Sequence, residues 1–295
     1  MRSRTTLLAA LALLALTAAW GSSFFMIKDL LARVPALDFL GVRFAIAAVA
    51  LFALAPRSVA RLSRRATAQS ALLGLLYGVA QILQTDGIGR TPASTAGFVT
   101  GLYVVLTPVF AAPLLRTRIG AMSWVAVLLA TAGMGVLTLD GLHVGAGELM
   151  VLGSAALYAL HIVGLGAWSR PADAVGSSVV QLVVIAAVSL VGTAPGGIVL
   201  PHRADDWAAV LYMAVVVAAL GLLAQVWAQA HLPPTRSAVI MAMEPVFGAA
   251  FAVAFGGERA GARMLVGGLM VVAAMVLTEL VPRRHVEGEV PHPAT

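Results

Sequence analysis

The chain has 295 residues, of which 60% are hydrophobic and only 11% are charged, and its mean hydropathy is +0.96. Soluble domains carry roughly 25% charged residues because a water-facing surface needs them. The composition therefore excludes an ordinary soluble protein and predicts one that is solvated by lipid. The net charge of +6 does not indicate nucleic-acid binding, since the basic residues form short loop clusters without a basic stripe that includes aromatic residues. The absence of cysteine excludes disulfides, thiolate metal sites and cysteine nucleophiles.

The first apolar segment can be interpreted in two ways. Arg2 and Arg4 precede an apolar run over residues 7–16, and small residues follow it, which is also the pattern of a secretion signal. The segment nevertheless continues straight into the apolar residues 24–27 before it becomes polar. We therefore expect a retained membrane helix.

Ten apolar segments of about 20 residues, the length that a bilayer-spanning helix needs, follow one another along the chain. They are separated by short stretches that contain Pro, Gly or Arg. The predicted spans are 5–27, 37–55, 68–88, 93–115, 120–139, 146–168, 174–195, 207–230, 235–256 and 262–281. The predicted fold class is an all-α integral membrane protein with ten transmembrane helices.

The distribution of basic residues predicts the orientation of these spans, because cytoplasmic loops carry an excess of Lys and Arg. With the N-terminus in the cytoplasm, twelve of the 19 basic residues fall on the inner side and six on the outer side, while Arg43 lies within a span. The predicted location is the cytoplasmic (inner) membrane, with several passes and both termini cytoplasmic. Residues 283–295 are predicted to be a short cytoplasmic tail.

The two halves of the chain resemble each other. The stretch "TAAWGSSF" parallels "SAALYALHI", which places Trp20 and Tyr158 138 residues apart. The stretch "LTPVFAA" parallels "MEPVFGAA", which places Pro108 and Pro245 137 residues apart. These two prolines, at equivalent positions, are predicted hinges because Pro removes a helical hydrogen bond.

Each half contains five predicted spans, and an odd number makes the second half enter the membrane from the opposite face. The result is an inverted-topology repeat, which recurs in secondary transporters. The predicted units are 1–142 and 143–282. An ancestral duplication that was kept only for packing is the alternative.

Five stretches of the sequence point to one family of membrane proteins. They are "AAWGSSFFMIK", "VRFAIAAVAL", "STAGFVTGLYVVLTPVFAAPLL", "GELMVLGSAALYALHIV" and "TRSAVIMAMEPVFGAAFAVAFGGE". Together they resemble the EamA-type carriers of the drug/metabolite transporter superfamily, over residues 5–281. The resemblance implies a ten-helix, two-repeat carrier that often exports amino acids, amines or other small metabolites. The first half departs from it by ending in "RTRIG", where the Gly257-Glu258 pair of the second half would be expected.

Glu244 and Arg43 are ionisable residues inside predicted spans, and a charge at the bilayer centre costs about 2.5–3.5 kcal/mol. Glu244 lies near the middle of the ninth span, and burial disfavours its charged form, so it could exchange a proton during transport. Alternatively, Glu244 is a structural acid that is hydrogen-bonded or paired within the bundle, with Arg43 as a candidate partner. Arg43 itself could bind a substrate carboxylate in two places or anchor its helix at the outer headgroups by snorkelling.

Aromatic and hydroxyl side chains are further candidates for substrate binding. His161 follows Tyr158 by three residues, so the two rings share a helix face. His161 is either a proton relay or a neutral, hydrogen-bonded histidine. Trp20 would supply a flat wall of the cavity opposite its counterpart Tyr158. Ser23 belongs to the small-residue patch that would let the first helix pack tightly or loosen near the cavity.

Amides complete the predicted site. Gln84 in the third span and Gln225 in the eighth occupy corresponding positions in the two halves, and they either line a polar cavity or bond helices to each other. Tyr103 lies on a polar helix face of the fourth span. Trp227 either faces the pathway or anchors its helix at the membrane interface.

These features predict a secondary transporter that moves a small metabolite, such as an amino acid or an amine, by alternating access. Export and proton coupling through Glu244 and His161 are expected; a facilitative uniporter, a channel and a non-transport scaffold are the alternatives. No phosphate loop, His-Glu-x-x-His or Gly-x-Ser-x-Gly motif occurs, so no enzyme is expected. The expected partners are the substrate, the lipid bilayer and protons, with no cofactor, metal or nucleic acid, for a monomer or a homodimer.

Overall fold

The protein is helical throughout the part of the chain that the structure describes. The computed structural model describes residues 4–91, 93–116, 118–138, 145–193, 196–255 and 261–280. The predicted tail 283–295, the predicted boundary at 142–143 and the Gly257-Glu258 pair lie outside these ranges. Every regular element within the ranges is a helix, which confirms the predicted all-α class.

Fourteen α-helices follow one another in the described ranges, with two irregular helical stretches among them. The α-helices are α1 (Arg4–Leu31), α2 (Ala36–Leu54), α3 (Arg57–Ala60), α4 (Arg64–Ile88), α5 (Ala93–Gly101), α6 (Tyr103–Leu115), α7 (Ala121–Thr138), α8 (Ala146–Trp168), α9 (Ala174–Thr193), α10 (Ala204–Tyr212), α11 (Gly221–Gln229), α12 (Pro234–Met241), α13 (Glu244–Phe255) and α14 (Ala262–Leu280). A 3₁₀ turn, Pro171–Asp173, precedes α9. A π-helical stretch, Met213–Leu220, joins α10 to α11.

Within the described ranges, six helical stretches are long and apolar enough to cross a bilayer. They are Arg4–Ser23, Ala36–Leu54, Arg64–Ile88, Ala146–Trp168, Pro171–Thr193 and Ala204–Gln229. Shorter apolar helices cover Val99–Leu115, Ala121–Val136 and Ala262–Leu277. Large apolar side chains such as Leu128 and Leu269 are more than half exposed on these helices, as expected of a surface that faces lipid tails. The membrane architecture agrees with the prediction, and the count of ten spans stays a prediction.

Two segments that were predicted as single spans are each broken into two helices. The span 93–115 consists of α5 and α6, with Leu102 between them, and the span 235–256 consists of α12 and α13, with the break just before α13. Pro245 is the second residue of α13, where its missing N–H would have had no helical partner. Pro108 lies inside α6, beyond the break of the first half, so that break is not located at the predicted hinge proline.

Helices of the first half pack against equivalent helices of the second half. The last helices of the two halves, α7 and α14, pack together, and so do α2 and α9. Helix α4 packs along α8, and in the same way α11 packs along α1. Reciprocal pairing of this kind is what a pseudo-two-fold relation between two repeats produces.

Two close helix contacts explain why small residues interrupt the apolar segments. A Cβ atom on Gly21 would lie 2.8 Å from the carbonyl oxygen of Glu244, and a Cβ atom on Gly74 would lie 2.9 Å from the Cα atom of Gln181. A larger side chain at either position would push two helices apart. The small-residue patch of α1 therefore permits the close approach of α13, which is one of the two roles expected for it.

Candidate functional site

A polar cavity of about 60 Å³ lies between helices of both halves. This volume is the space open to the centres of water-sized molecules, and one water needs about 10–15 Å³ of it. The cavity therefore has room for a few waters in this conformation. Its walls come from α1, α2, α4, α5, α6, α8, the π-helical stretch, α11, α12 and α13.

Every residue that the sequence predicted for substrate binding lines this cavity, except Trp227. These residues are Trp20, Ser23, Arg43, Gln84, Tyr103, Tyr158, His161 and Gln225. Glu244, which was predicted for proton coupling together with His161, lines the cavity as well. The fold thus brings polar side chains from both halves of the chain to one place inside an apolar bundle.

Trp227 lies outside the cavity lining, in contrast to the prediction that it faces the pathway. Its ring packs against the ring of His231, with 4.9 Å between the centroids. Trp227 is two residues beyond Gln225 on α11, and side chains at that spacing point to different faces of a helix. Because Gln225 faces the cavity, Trp227 cannot face it from the same helix.

A chain of side-chain hydrogen bonds runs along one wall of the cavity. Gln81 Nε2 donates to the Tyr158 hydroxyl at 2.8 Å, and this hydroxyl donates to Gln84 Oε1 at 2.8 Å. Gln84 Nε2 donates in turn to Thr100 Oγ1 at 3.2 Å. Tyr158 belongs to α8, its partners Gln81 and Gln84 both belong to α4, and Thr100 belongs to α5. The chain of hydrogen bonds therefore joins the second half to the first.

Arg43 is a buried cation, 4% exposed, that lines the cavity. Its Nε atom donates to the carbonyl oxygen of Met213 at 3.2 Å. Its guanidinium carbon lies 5.0 Å from the ring centroid of Phe44 and 5.7 Å from that of Phe39, and such cation–π contacts offset part of the cost of burying the charge. Within the described ranges no carboxylate pairs with Arg43, and its two terminal nitrogens have no hydrogen-bond partner.

Glu244 is the acidic residue among the side chains that line the cavity. No hydrogen bond or ion pair joins its carboxylate to another side chain in the described part of the chain. Glu244 and Arg43 therefore do not form the ion pair that we considered as the alternative. Glu244 is partly buried. An unpaired carboxylate that is withdrawn from water even in part is costly, and ionisable groups kept inside a membrane mark functional sites by default.

Three more polar atoms of the cavity are buried without a hydrogen-bond partner among the described residues. They are the Tyr103 hydroxyl, His161 Nδ1 and Gln225 Oε1. Leaving such a group unpaired costs about 1–3 kcal/mol, so each calls for a partner from outside the protein, either water or a bound solute.

His161 is fully buried and held by two neighbours. Its Nε2 atom lies 2.8 Å from Gln181 Oε1, and its ring lies 4.9 Å from the ring of Tyr77, centroid to centroid. A hydrogen-bonded histidine is the plainer of the two roles that we expected. In the described ranges no three His, Asp or Glu side chains lie close enough together to hold a metal ion.

Two cavity residues are bonded to the π-helical stretch. Besides the bond from Arg43 to Met213, Trp20 Nε1 donates to the carbonyl oxygen of Val217 at 3.3 Å. Both accepting carbonyls belong to the stretch Met213–Leu220. π-Helical turns within α-helices occur frequently at functional sites. A change in the contacts of Arg43 or Trp20 would therefore act directly on the π-helical stretch that precedes α11, the helix that carries Gln225.

Sequence reasoning missed several residues of the α4 wall. Tyr77, Thr85 and Ile88 line the cavity beside Gln81 and Gln84. These five positions recur at spacings of three and four residues, which is the signature of one helix face. Extending the face of the two glutamines in both directions would have identified the others.

The chain belongs to the EamA-like transporter family, whose sequence model matches residues 7–139 and again residues 145–280. It is 25% identical over 275 residues to a protein of Archaeoglobus fulgidus described as an uncharacterized transporter, and the match covers 92% of this chain and 84% of that protein. A protein of known crystal structure, 18% identical, superposes with a TM-score of 0.80 over 96% of this chain and all of its own chain. This last likeness concerns the fold alone. The family and the relative make the chain a membrane transporter.

Proposed function

We propose that this transporter exports a small metabolite, an amino acid or an amine, by alternating access and in exchange for protons. The observation that carries the proposal is a pair of charges in one cavity without an ion-pair partner among the described residues, the guanidinium of Arg43 and the carboxylate of Glu244. The guanidinium of Arg43 is buried and the carboxylate of Glu244 is partly buried, and the contacts within the protein offset only part of the cost. A solute that carries the opposite charges would offset it.

The cavity offers complementary groups for an amino acid. The terminal nitrogens of Arg43 suit a carboxylate, since a guanidinium binds planar anions through two parallel hydrogen bonds. Glu244 and the free Oε1 atom of Gln225 suit the donors of an ammonium group. The rings of Trp20 and Tyr158 would enclose the apolar part of the solute. An amine without a carboxylate would use the Glu244 side of the site only.

Alternating access requires the two halves, 1–142 and 143–282, to move relative to each other around this site. At about 60 Å³ the cavity holds only a few waters, so a solute needs a more open conformation. The hydrogen bonds of Tyr158 to Gln81 and Gln84 join the halves along one wall, so an opening there would break them. Pro108 and Pro245 remain our candidates for hinges.

Proton coupling follows from competition for Glu244. A proton and an ammonium group both neutralise the same carboxylate, so binding of one disfavours binding of the other. A carrier that must release its solute to take up a proton exchanges the two, and a proton gradient directed inwards then drives export. The free Nδ1 atom of His161 would provide a second site for the proton in the same cavity.

The proposed location is the cytoplasmic membrane, with both termini in the cytoplasm. The two-to-one bias of basic residues supports this orientation. Arg57, Arg61, Arg64 and Arg65 are all exposed in the connection between α2 and α4 and at its end, as expected of a loop at a cytoplasmic surface.

The test uses the purified protein in liposomes that contain a pH-sensitive dye, challenged with a panel of amino acids and primary amines. Wild type is compared with Glu244→Gln and with Asp38→Asn. Asp38 is also a buried acid, but it accepts a hydrogen bond from the Val199 N–H away from the cavity. We expect solute-dependent proton flux in wild type and Asp38→Asn, and none in Glu244→Gln.

Other outcomes would contradict parts of the proposal. Solute flux that saturates but moves no protons in any of the three proteins indicates a facilitative uniporter and a structural Glu244. Flux that does not saturate indicates a channel. Equal loss of the proton flux in both variants means that removing an acid from the bundle damages the protein in general. The coupling role proposed for Glu244 would then have no support.

A further inference from the structure

The connections that follow α1 and α8 occupy equivalent positions in the two halves, but only one of them carries an internal ion pair. Arg33, two residues after the end of α1, donates from Nη2 to Asp206 Oδ1 at 2.6 Å and from Nε to Oδ2 at 3.2 Å. Asp206 is the third residue of α10 and is 5% exposed. A two-point bond of this kind fixes the end of α1 to the start of α10.

The equivalent place in the other half lacks the acid. Arg170 comes two residues after the end of α8, as Arg33 does after α1, and the third residue of α4 is Ala66 where α10 has Asp206. Within the described ranges the Arg170 side chain has no ion pair and no hydrogen bond. An alanine methyl group therefore replaces the carboxylate that would have neutralised Arg170.

A small crevice lies at this place. Ala66, Gln69, Ser169 and Arg170 line it, and its volume, about 10 Å³, is close to what one water needs. The Ser169 side chain is 6% exposed, and its hydroxyl is buried without a hydrogen-bond partner among the described residues. The crevice thus combines an unpaired cation with an unpaired buried donor. Asp173 also lines it.

We propose that an anionic phospholipid binds over the mouth of this crevice, with the phosphate of its headgroup on the exposed Arg170, in the place that Asp206 occupies beside Arg33 at the other end of the bundle. Arg170 donates to the phosphate oxygens, the buried Ser169 hydroxyl reaches them through the single water that the crevice can hold, and Gln69 adds a further donor at the edge. Hydrogen bonds between charged groups of this kind are stronger than neutral ones.

The surroundings favour a lipid over a free phosphate. Trp168, which also lines the crevice, is the last residue of α8 and is 39% exposed. A half-exposed tryptophan at the end of a membrane helix lies at the level of the lipid headgroups. Arg64 and Arg65, at the start of α4, are exposed and have no ion pair in the described part of the chain. Such arginines attract an anionic leaflet.

Asp173 narrows the kind of headgroup. Its carboxylate repels a second negative charge, but it accepts hydrogen bonds from hydroxyl groups. A phosphodiester that carries a polyol, as in phosphatidylglycerol, satisfies Arg170 and Asp173 together. Phosphatidylglycerol is therefore the probe to use.

The test measures the thermal unfolding midpoint of the full-length protein in detergent during titration with phosphatidylglycerol, with phosphatidylcholine of the same chains, and with glycerol 3-phosphate. We expect phosphatidylglycerol alone to raise the midpoint of the wild type. Arg170→Gln should bind it about tenfold more weakly, as expected when a hydrogen bond to a charged group is lost. Arg61→Gln, which removes an exposed arginine outside the crevice lining, should bind like the wild type.

Ala66→Asp is a second variant that keeps the proposal testable if Arg170→Gln fails to fold. It restores at α4 the acid that α10 carries, so it should raise the midpoint without lipid and abolish the response to phosphatidylglycerol. Equal responses to the two lipids, or equal losses in Arg170→Gln and Arg61→Gln, would show a general surface effect and overturn the proposal. A response to glycerol 3-phosphate that matches phosphatidylglycerol would mean a site for soluble phosphates and would overturn it as well.

Discussion

Replacing Arg43 by glutamine separates the binding of a substrate carboxylate from the rest of the site. The glutamine amide can still donate to the Met213 carbonyl oxygen, which now takes the Nε–H of Arg43 at 3.2 Å, but the two terminal nitrogens and the charge are lost. A hydrogen bond to a charged group is worth about 1.5–3 kcal/mol, and about 1.4 kcal/mol corresponds to a tenfold change in affinity. We therefore expect a substrate with a carboxylate to bind about 10- to 150-fold more weakly.

The assay is a double-mutant cycle in which the second change is made in the solute. Initial uptake into proteoliposomes is measured for an amino acid from the active panel and for the amine that lacks its carboxylate, with wild type and Arg43→Gln. In the wild type, removing the carboxylate from the solute should weaken binding as much as replacing Arg43 does. In Arg43→Gln, removing the carboxylate from the solute should hardly weaken binding further, because the guanidinium that would bind it is already absent.

Two controls accompany this cycle. Arg43→Lys keeps the charge but loses the planar fork, so it should fall between wild type and Arg43→Gln. Arg90→Gln removes an exposed arginine that pairs with Asp86 outside the cavity lining, and it should transport like the wild type. If the losses from the solute and from Arg43→Gln simply add, Arg43 does not contact the carboxylate and the reasoning is wrong.

Three further predictions concern the packing and charge of the bundle. Tyr158→Phe should lower the free energy of unfolding by about 1–3 kcal/mol, measured by SDS titration in micelles, because the buried amide of Gln81 and the partly buried amide of Gln84 lose a partner. Gly74→Ala should lower the melting temperature, at a cost of about 1–3 kcal/mol for overpacking, since its Cβ atom would lie 2.9 Å from the Gln181 Cα atom. The hydrogen bond from Arg33 holds the pKa of Asp29 below its ordinary value of 3.8. That contribution to stability is complete above pH 3.8 and is lost as the pH falls through the lowered pKa, so the melting temperatures of wild type and Arg33→Gln should converge in acid.

Each of these predictions has an outcome that would contradict it. Tyr212→Phe removes a hydroxyl that lies 2.7 Å from Ser22 Oγ, outside the cavity. If it lowers the free energy of unfolding as much as Tyr158→Phe does, the hydrogen bonds in the cavity stabilise the protein no more than those elsewhere. Gly97→Ala places a methyl group in open space and should not destabilise the protein, because Ala favours a helix more than Gly does; a matching loss would show that the close contact at Gly74 is not the cause. A difference between wild type and Arg33→Gln that does not shrink as the pH falls further and further below 3.8 would mean that the arginine acts without its acid.

The sequence by itself predicted half of the residues that line the cavity. A polar side chain within a membrane helix is costly unless it faces the bundle interior, so Arg43, Gln84, His161 and Glu244 could be placed there without coordinates. The repeat then indicated that Trp20 and Tyr158 would occupy related positions, and both line the cavity. Tyr77 and Thr85 were missed because an aromatic ring and a hydroxyl cost little in lipid and do not stand out.

Contacts between helices could not be predicted in the same way. The sequence left open whether Arg43 pairs with Glu244, and only the packing of α2 against the π-helical stretch shows that Arg43 bonds a carbonyl oxygen instead. The same holds for Trp227, whose side chain is turned towards His231. Its sequence neighbours suit either role, and the rotation of α11 about its axis decides between them.

The sequence determines the length and apolarity of the segments, the internal repeat and the positions of the polar residues within them. The reason is that the bilayer sets the length of a span and penalises a polar group regardless of the neighbouring helices. Which polar groups remain without partners depends on where each helix lies and how it is rotated. Those positions arise from side chains far apart in the chain, such as Gly21 against Glu244 and Gly74 against Gln181. The unpaired charges of the cavity and the unpaired Arg170 at the end of the bundle are therefore features that only the tertiary structure decides.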